Sequence, residues 1–250
     1  MPPSRPSAKK ATRTSQGTKR VSDEIPTPPP RVTLIVGTDT GVGKTWVTTA
    51  VARALQAAGQ PVVAVKPIET GVSDPANPGE DGIRLAEATG QAGPMRALIR
   101  LTHHVAPAIA ADLGSHPIDY DDLVARIRAI ATPGTELLVE GTGGLLSPLT
   151  WSDNHLDLAH SLDAKVLLVA ADRLGTISHT LMALRVLATE KIPVLGVVLN
   201  QPGPRDESSR FNASALTRLA DPVPVVTMPH LNDEAQAAEA VKEVAGWLLP

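Results

Sequence analysis

From residue 31 onward the chain alternates short apolar runs with stretches of helical period. The runs are "RVTLIV" (31–36), "PVVAVKP" (61–67), "ELLVE" (136–140), "KVLLVAA" (165–171), "IPVLGVVLN" (192–200) and "PVPVVTMP" (222–229). They are rich in Val, Leu and Ile and lack the apolar/polar alternation of a strand with one wet face, so they predict strands buried on both sides. Between them, a helix is predicted from about Lys44 to Ala58, stopped by Gly59 and Pro61. A short helix over 81–90 ends in a glycine, and over 119–131 Leu123, Ile127 and Ile130 recur at i, i+4, i+7. Strands alternating with helices make βαβ units. The expected fold is therefore α/β, a mostly parallel sheet with helices on both faces. No internal repeat and no second change of composition breaks residues 31–250, which read as one domain. Segment 91–118 reads as loop-rich, an insertion over the active face.

Composition sharpens this picture. Apolar residues make up 42 % of the 250-residue chain but aromatics only 2 %, so the core must be aliphatic. Few rings also argue against a single-stranded nucleic-acid binder, which needs stacking platforms. With no cysteine, disulfides, thiol catalysis and Cys-based zinc sites are excluded. No apolar run reaches the roughly 18 residues of a membrane span, and no apolar signal-peptide core is visible. The expected compartment is the cytoplasm. Residues 1–30 hold six basic side chains against two acidic ones, a balance of +4, whereas the whole chain carries −3. That head is rich in Pro, Ser and Thr and predicts a disordered basic extension, with "PTPPP" (26–30) as a stiff spacer.

The first strand runs into "LIVGTDTGVGKTW" (34–46). In the usual phosphate-loop pattern a glycine would stand at position 38. Thr38 stands there, and Gly37 comes one residue early. Strand, glycine-rich turn, Lys-Thr and helix are nevertheless the context that a phosphate loop requires. Backbone N–H groups of Gly41, Val42, Gly43 and the helix start would face phosphate oxygens. Lys44 would reach the β- and γ-phosphates, and the Thr45 hydroxyl would face Mg²⁺.

In a doubly wound sheet ligands bind beyond the carboxyl ends of the strands. Those ends carry Lys66, Glu140 and Asn200 with Gln201; Pro229 and His230 come after "PVVTM". Lys66 is either a cation for a transferring phosphoryl group or a partner of a surface acid. Glu140, with Gly141, Thr142 and Gly143 leaving room for a ligand, is either a Mg²⁺ ligand or half of an ion pair. Asp81 stands before a helix, as a metal ligand or as a simple N-cap. Thr45, Asp81 and Glu140 would make an incomplete oxygen shell of the kind Mg²⁺ accepts. His103, His104, His155 and His160 read as ordinary loop residues. No serine-hydrolase or zincin motif occurs.

Together, "GTDTGVGKT", "KPIETG", "VEGTGGLLSPL", "DRLGTISHT" and "LNQ" resemble the dethiobiotin synthetases, ATP-dependent enzymes of biotin biosynthesis. The likeness spans residues 31 to about 231, and the wide loop entrance is that family's form. The resemblance implies a P-loop NTPase-like fold and a homodimer. The substrates would be 7,8-diaminopelargonic acid, CO₂ or bicarbonate, and ATP with Mg²⁺, without membrane or nucleic acid. It puts ATP at Gly41 to Trp46, Asp81, Glu140, Gly141, Thr142 and Gly143. The metal would sit at Thr45, Asp81 and Glu140, and Lys66 and Lys44 would be the catalytic cations. Asn200, Gln201, Pro229, His230 and Leu231 would form the adenine-side wall. Thr70 would touch the diamine end. Gly175, Thr176, Ile177 and Ser178 would receive the substrate carboxylate of the other subunit. Ser178 stands where the family often has Asn, Gln201 where it often has Asp, and Ala108 where it often has His. Asp74 rivals Asp81 as the metal ligand. Two rivals fit less well: amidotransferase-linked synthetases use a Cys nucleophile, and partitioning ATPases carry a second loop lysine where this chain has Asp39.

Overall fold

A computed structural model describes residues 30–74 and 77–249. The extension read over residues 1–30 lies, Pro30 apart, outside the described residues. Strand β1 (Arg31–Gly37) leads into helix α1 (Lys44–Ala57), then β2 (Val62–Val65), β3 (Ile68–Thr70), α2 (Asp81–Thr89), β4 (Ile99–Leu101), α3 (Pro107–Gly114) and α4 (Tyr120–Ile130). The chain continues through β5 (Glu136–Gly144), α5 (His155–Ser161), β6 (Lys165–Ala171), α6 (Thr176–Thr189) and β7 (Val194–Asn200). It ends with α7 (Asn212–Leu219), β8 (Val225–Met228), α8 (Glu234–Ala240) and α9 (Lys242–Leu248).

The main sheet has six strands in the order β2-β5-β1-β6-β7-β8, and every neighbouring pair is parallel. All carboxyl ends therefore meet at one edge. From β1 the chain first crosses to the β2 side and only later builds the β6–β8 side, so a crevice opens beyond the end of β1. Side chains alternate between two aliphatic layers. Leu34 and Val36 of β1, with Val166 and Leu168 of β6, pack against Leu123 and Ile127 of α4, Leu158 of α5 and Leu187 of α6. Ile35, Leu167 and Val169 point the other way, onto Val47, Val51 and Leu55 of α1, Leu85 of α2 and Val244 of α9. Each such side chain contributes roughly 1.5–3 kcal/mol on burial. Because both faces are covered, the strands had to read as unbroken apolar runs.

Two expectations change. β5 does not stop at Glu140 but runs on to Gly144, whose backbone pairs with Gly37 after a register shift in β1. Its ladder is a backbone property, invisible to a count of apolar side chains. Segment 91–118 is loop-rich, as expected, but it is packed into the body of the fold. Its β4 pairs parallel with β3 in a separate two-stranded sheet, and Leu101, Ala110 and Ala111 join the core. Three-residue strands carry too little periodicity to show in the sequence.

Helix starts also differ in kind. The Asp119 side chain accepts from Asp122 N–H at the start of α4, and Asn154 with Asp157 forms a reciprocal capping box at α5. By contrast, α1 and α6 begin from glycines in the left-handed region, with no side-chain cap and no acid in the first turn.

Candidate active site

Beyond β1 the chain turns through Thr38–Gly43, with Thr38 N–H donating to the Val169 carbonyl at 2.9 Å. Thr38 continues the contacts of the strand end, which is why the early Gly37 does no harm. Gly43, at φ 89°, starts α1. A Cβ there would lie 2.2 Å from the Asn200 Nδ2 atom, so both conformation and space require glycine. The Asn200 amide donates to the Val42 carbonyl at 2.9 Å and so braces the loop. Lys44 folds back, donating to the carbonyls of Gly143 at 2.7 Å and Asp39 at 3.2 Å. Burial, then the positive charge of Lys66, lowers the Lys44 ammonium to about 8.

Next to it lies a compact charge cluster. Lys66, at the end of β2, donates to Glu140 Oε1 at 2.6 Å and to Asp81 Oδ2 at 2.8 Å. The Thr45 hydroxyl donates to the same Glu140 Oε1 at 2.8 Å. Burial opposes the charge of Lys66, but Glu140 and Asp81 outweigh it and hold the ammonium above the usual lysine range. Burial likewise opposes ionised Asp81, and Lys66 outweighs it, so this carboxyl sits below its usual range. Glu140 is fully buried, and its Oε2 has no hydrogen-bond partner. Asp81 is not the N-cap of α2. Glu80 occupies that position, and the Asp81 side chain turns to Lys66 instead. Asp74 lies on the exposed loop before the helix. Among the described residues no three His, Cys, Asp or Glu side chains form a metal-holding group; the acids here are a pair.

Two further spaces adjoin the loop. A cleft of about 200 Å³ is lined by Gly43, Trp46, Asn200, Gln201, His230 and Leu231, with Pro202. Pro229, exposed, is not in its lining. The Gln201 carboxamide is engaged on both sides, accepting from Arg205 Nε at 3.0 Å and donating to the Gly203 carbonyl at 3.1 Å. On the other side, an open groove of about 1360 Å³ runs from Thr38, Asp39 and Thr40 along α6, past Ser178 and Met182. Gly175 starts α6 at φ 94°. Thr176 is buried, and its hydroxyl has no partner; Ile177 packs against the core. Thr70 is half-buried at the end of β3. Near it, the Thr142 hydroxyl donates to the Ile68 carbonyl.

A family model described as an AAA domain matches residues 31–240. An ATP-dependent dethiobiotin synthetase of Anaeromyxobacter dehalogenans is 39 % identical over 214 residues, covering 84 % of this chain and 95 % of that protein. One from Haloferax mediterranei is 37 % identical over 198 residues, covering 79 % and 83 %. The chain belongs to the dethiobiotin synthetase family. Among solved structures, the MinC:MinD cell division protein complex of Aquifex aeolicus is similar with a TM-score of 0.54 at 16 % identity, covering 87 % of this chain and 95 % of that one. At that identity the likeness concerns the fold alone.

In this dethiobiotin synthetase family member, several site-side residues escaped the reading of the sequence. His155, taken for a loop residue, is buried beneath β5, and its Nε2 accepts from Thr142 N–H at 3.0 Å. Burial, then the charge of Lys44, lowers it to about 4, so it is neutral near pH 7. One signal was available: His155, Leu158 and Ala159 fall at i, i+3, i+4 on the buried face of α5. Glu69 and Glu80 are buried acids around the start of α2, and no local pattern marks them. His103 and His104 are exposed, as expected of loop residues.

Proposed function

We propose that this chain closes the ureido ring of dethiobiotin from 7,8-diaminopelargonic acid, CO₂ and ATP, releasing ADP and phosphate. The observation that carries the reading is the Lys66–Glu140–Asp81 cluster set directly against a phosphate loop, in a chain so similar to dethiobiotin synthetases. One amine of the substrate adds CO₂ to give a carbamate. A carbamate oxygen attacks the γ-phosphorus of ATP, the bond to the bridging oxygen breaks, and ADP leaves. The second amine then attacks the carbonyl carbon of this mixed anhydride, phosphate departs, and the ring closes with loss of the amine protons to solvent.

The residues supply positioning and charge more than covalent help. The N–H groups at the start of α1, left uncapped, receive phosphate oxygens. Lys44 exchanges its backbone carbonyls for the β- and γ-phosphates. Lys66 holds its charge because two carboxylates face it, and it neutralises the carbamate and the transferring group. The cleft beside Trp46 and His230 takes the adenine.

A Mg²⁺ ion fits Thr45, Asp81 and Glu140: all three offer oxygen, and the orphaned buried Glu140 Oε2 is an acceptor in want of a cation. When bound, the ion would neutralise phosphate charge as the phosphoryl group moves. The start of α6, with Gly175, Thr176, Ile177 and Ser178, receives the substrate carboxylate from a second copy of the chain, which makes the working unit a homodimer. No helix among the described residues is long and apolar enough to cross a membrane. The test is phosphate release by the purified protein with diamine, bicarbonate and ATP varied one at a time. Release should require all three and yield dethiobiotin; strong ATP hydrolysis indifferent to the diamine overturns the reading.

A further inference from the structure

Helix α2 carries Asp81 as its first residue, yet nothing in its own N-cap satisfies its leading N–H groups. Glu80 makes no side-chain capping bond. Those donors are instead taken by Glu69, twelve residues earlier on β3. One of its carboxylate oxygens accepts from Asp81 N–H at 2.6 Å and the other from Gly82 N–H at 3.1 Å. Glu69 is buried, and the donors at a helix start have no partner within the helix itself. Glu80 is anchored as well, by Arg96 and by Arg100 of β4 at 2.6 Å and 2.9 Å. Gly82 presses on the neighbouring backbone so closely that a Cβ would lie 2.3 Å from Ala97 N. The small β3–β4 sheet thus grips the first turn of α2 from two directions. From that turn the Asp81 carboxylate points at Lys66.

We propose that Glu69 is a positioning residue for the metal end of the site: by binding the Asp81 and Gly82 N–H groups with one carboxylate, it fixes where the Asp81 oxygen stands. The proposal rests on the reading of Asp81 as a metal ligand. It gives the "KPIETG" segment two tasks, with Lys66 supplying the cation and Glu69, three residues on, setting the acid that faces it. Replacing Glu69 by Gln keeps size and one acceptor but turns an NH₂ group toward a backbone N–H, so one of the two bonds is lost.

The experiment measures Mn²⁺ binding by the loss of its free electron-spin signal, with a non-hydrolysable ATP analogue present, in the full chain and in E69Q, D81N and the double variant. Mg²⁺ half-saturation and kcat are measured alongside. E69Q should weaken Mn²⁺ binding about tenfold, the scale of one lost hydrogen bond to a charged group, and should shift Mg²⁺ half-saturation more than kcat. In the D81N background E69Q should add almost nothing. Unchanged Mn²⁺ affinity in E69Q beside a weakened D81N overturns the proposal, as do effects that simply add. If D81N itself binds Mn²⁺ normally, the ligand reading falls and takes the proposal with it. E69D, which keeps the charge but is one methylene shorter, carries the same test if E69Q does not fold; it should fall between the native chain and D81N, and native affinity in E69D overturns the proposal.

Discussion

Helices α1 and α6 begin alike and end up in different company. Both start from a glycine in the left-handed region, at φ 89° and 94°, with no capping side chain and no acid in the first turn. Elsewhere Asp119, Asn154 and Asp233 close the first turns of α4, α5 and α8, and the uncapped α3, α7 and α9 do not start from a glycine. An open glycine start leaves N–H groups for an anion. Around α1, where the phosphates are proposed to bind, Lys44, Lys66, Glu140 and Asn200 are all buried. Around α6 the surroundings are bare, with Leu174 81 % and Met182 57 % exposed beside an open groove. The difference sets a buried end, where the phosphates are proposed to bind, against an exposed end, where the substrate carboxylate and a second copy of the chain are proposed to meet.

The largest effect should come from breaking the finished end. Lys66→Gln leaves Glu140 and Asp81 facing each other without their shared cation. It should lower kcat by about 10²–10³, the scale for removing one transition-state charge partner; steady-state phosphate release measures it, and a drop below tenfold removes Lys66 from the reaction. That loss should not depend on protein concentration.

His155 tests how tightly the same end is built into the core. Its pKa is lowered in the fold to about 4, so the unfolded chain binds the extra proton first as pH falls. Its contribution is complete above about pH 6.5 and is lost as pH falls toward about 4, by up to about 3 kcal/mol. His155→Gln, which can still accept from Thr142 N–H, should flatten this dependence; urea midpoints at pH 7.5 and 4.5 compare the two, and equal slopes would remove the titration from His155.

The smallest effect belongs to the bare end. Leu174→Asp should weaken self-association about tenfold, roughly 1.4 kcal/mol, seen by sedimentation across a dilution series. It should raise the KM for the diamine at low protein concentration while nucleotide binding holds. A monomeric native chain with full activity would sink the two-copy reading.

Much of this was legible in the chain because it is local. Unbroken aliphatic runs gave away strands covered on both faces, and the loop declared itself despite Thr38 because Gly43, Lys44 and Thr45 keep their spacing. What stayed hidden joins distant positions. Glu69, on the three-residue β3, meets Asp81 twelve positions on, across a loop that carries no periodicity. Glu136 looked like the first residue of an apolar run, yet it is buried and held by Arg31 and Thr33 of the neighbouring strand. No periodicity records a partner a hundred residues away. His155 lay between these cases, marked by helical spacing but disguised by its residue type.

The poverty in rings has an optical consequence. Near-ultraviolet emission from this chain must come from three indoles standing in three unlike places. Trp151 is 69 % exposed, its ring N–H donating to Asp112. Trp247 packs directly against Gly196 of β7, leaving no room for a Cβ there. Trp46 borders the cleft beside His230. With a single tyrosine and a single phenylalanine besides, the molecule is nearly dark elsewhere, and Trp46 is its own lamp at the mouth of the cleft proposed for the adenine.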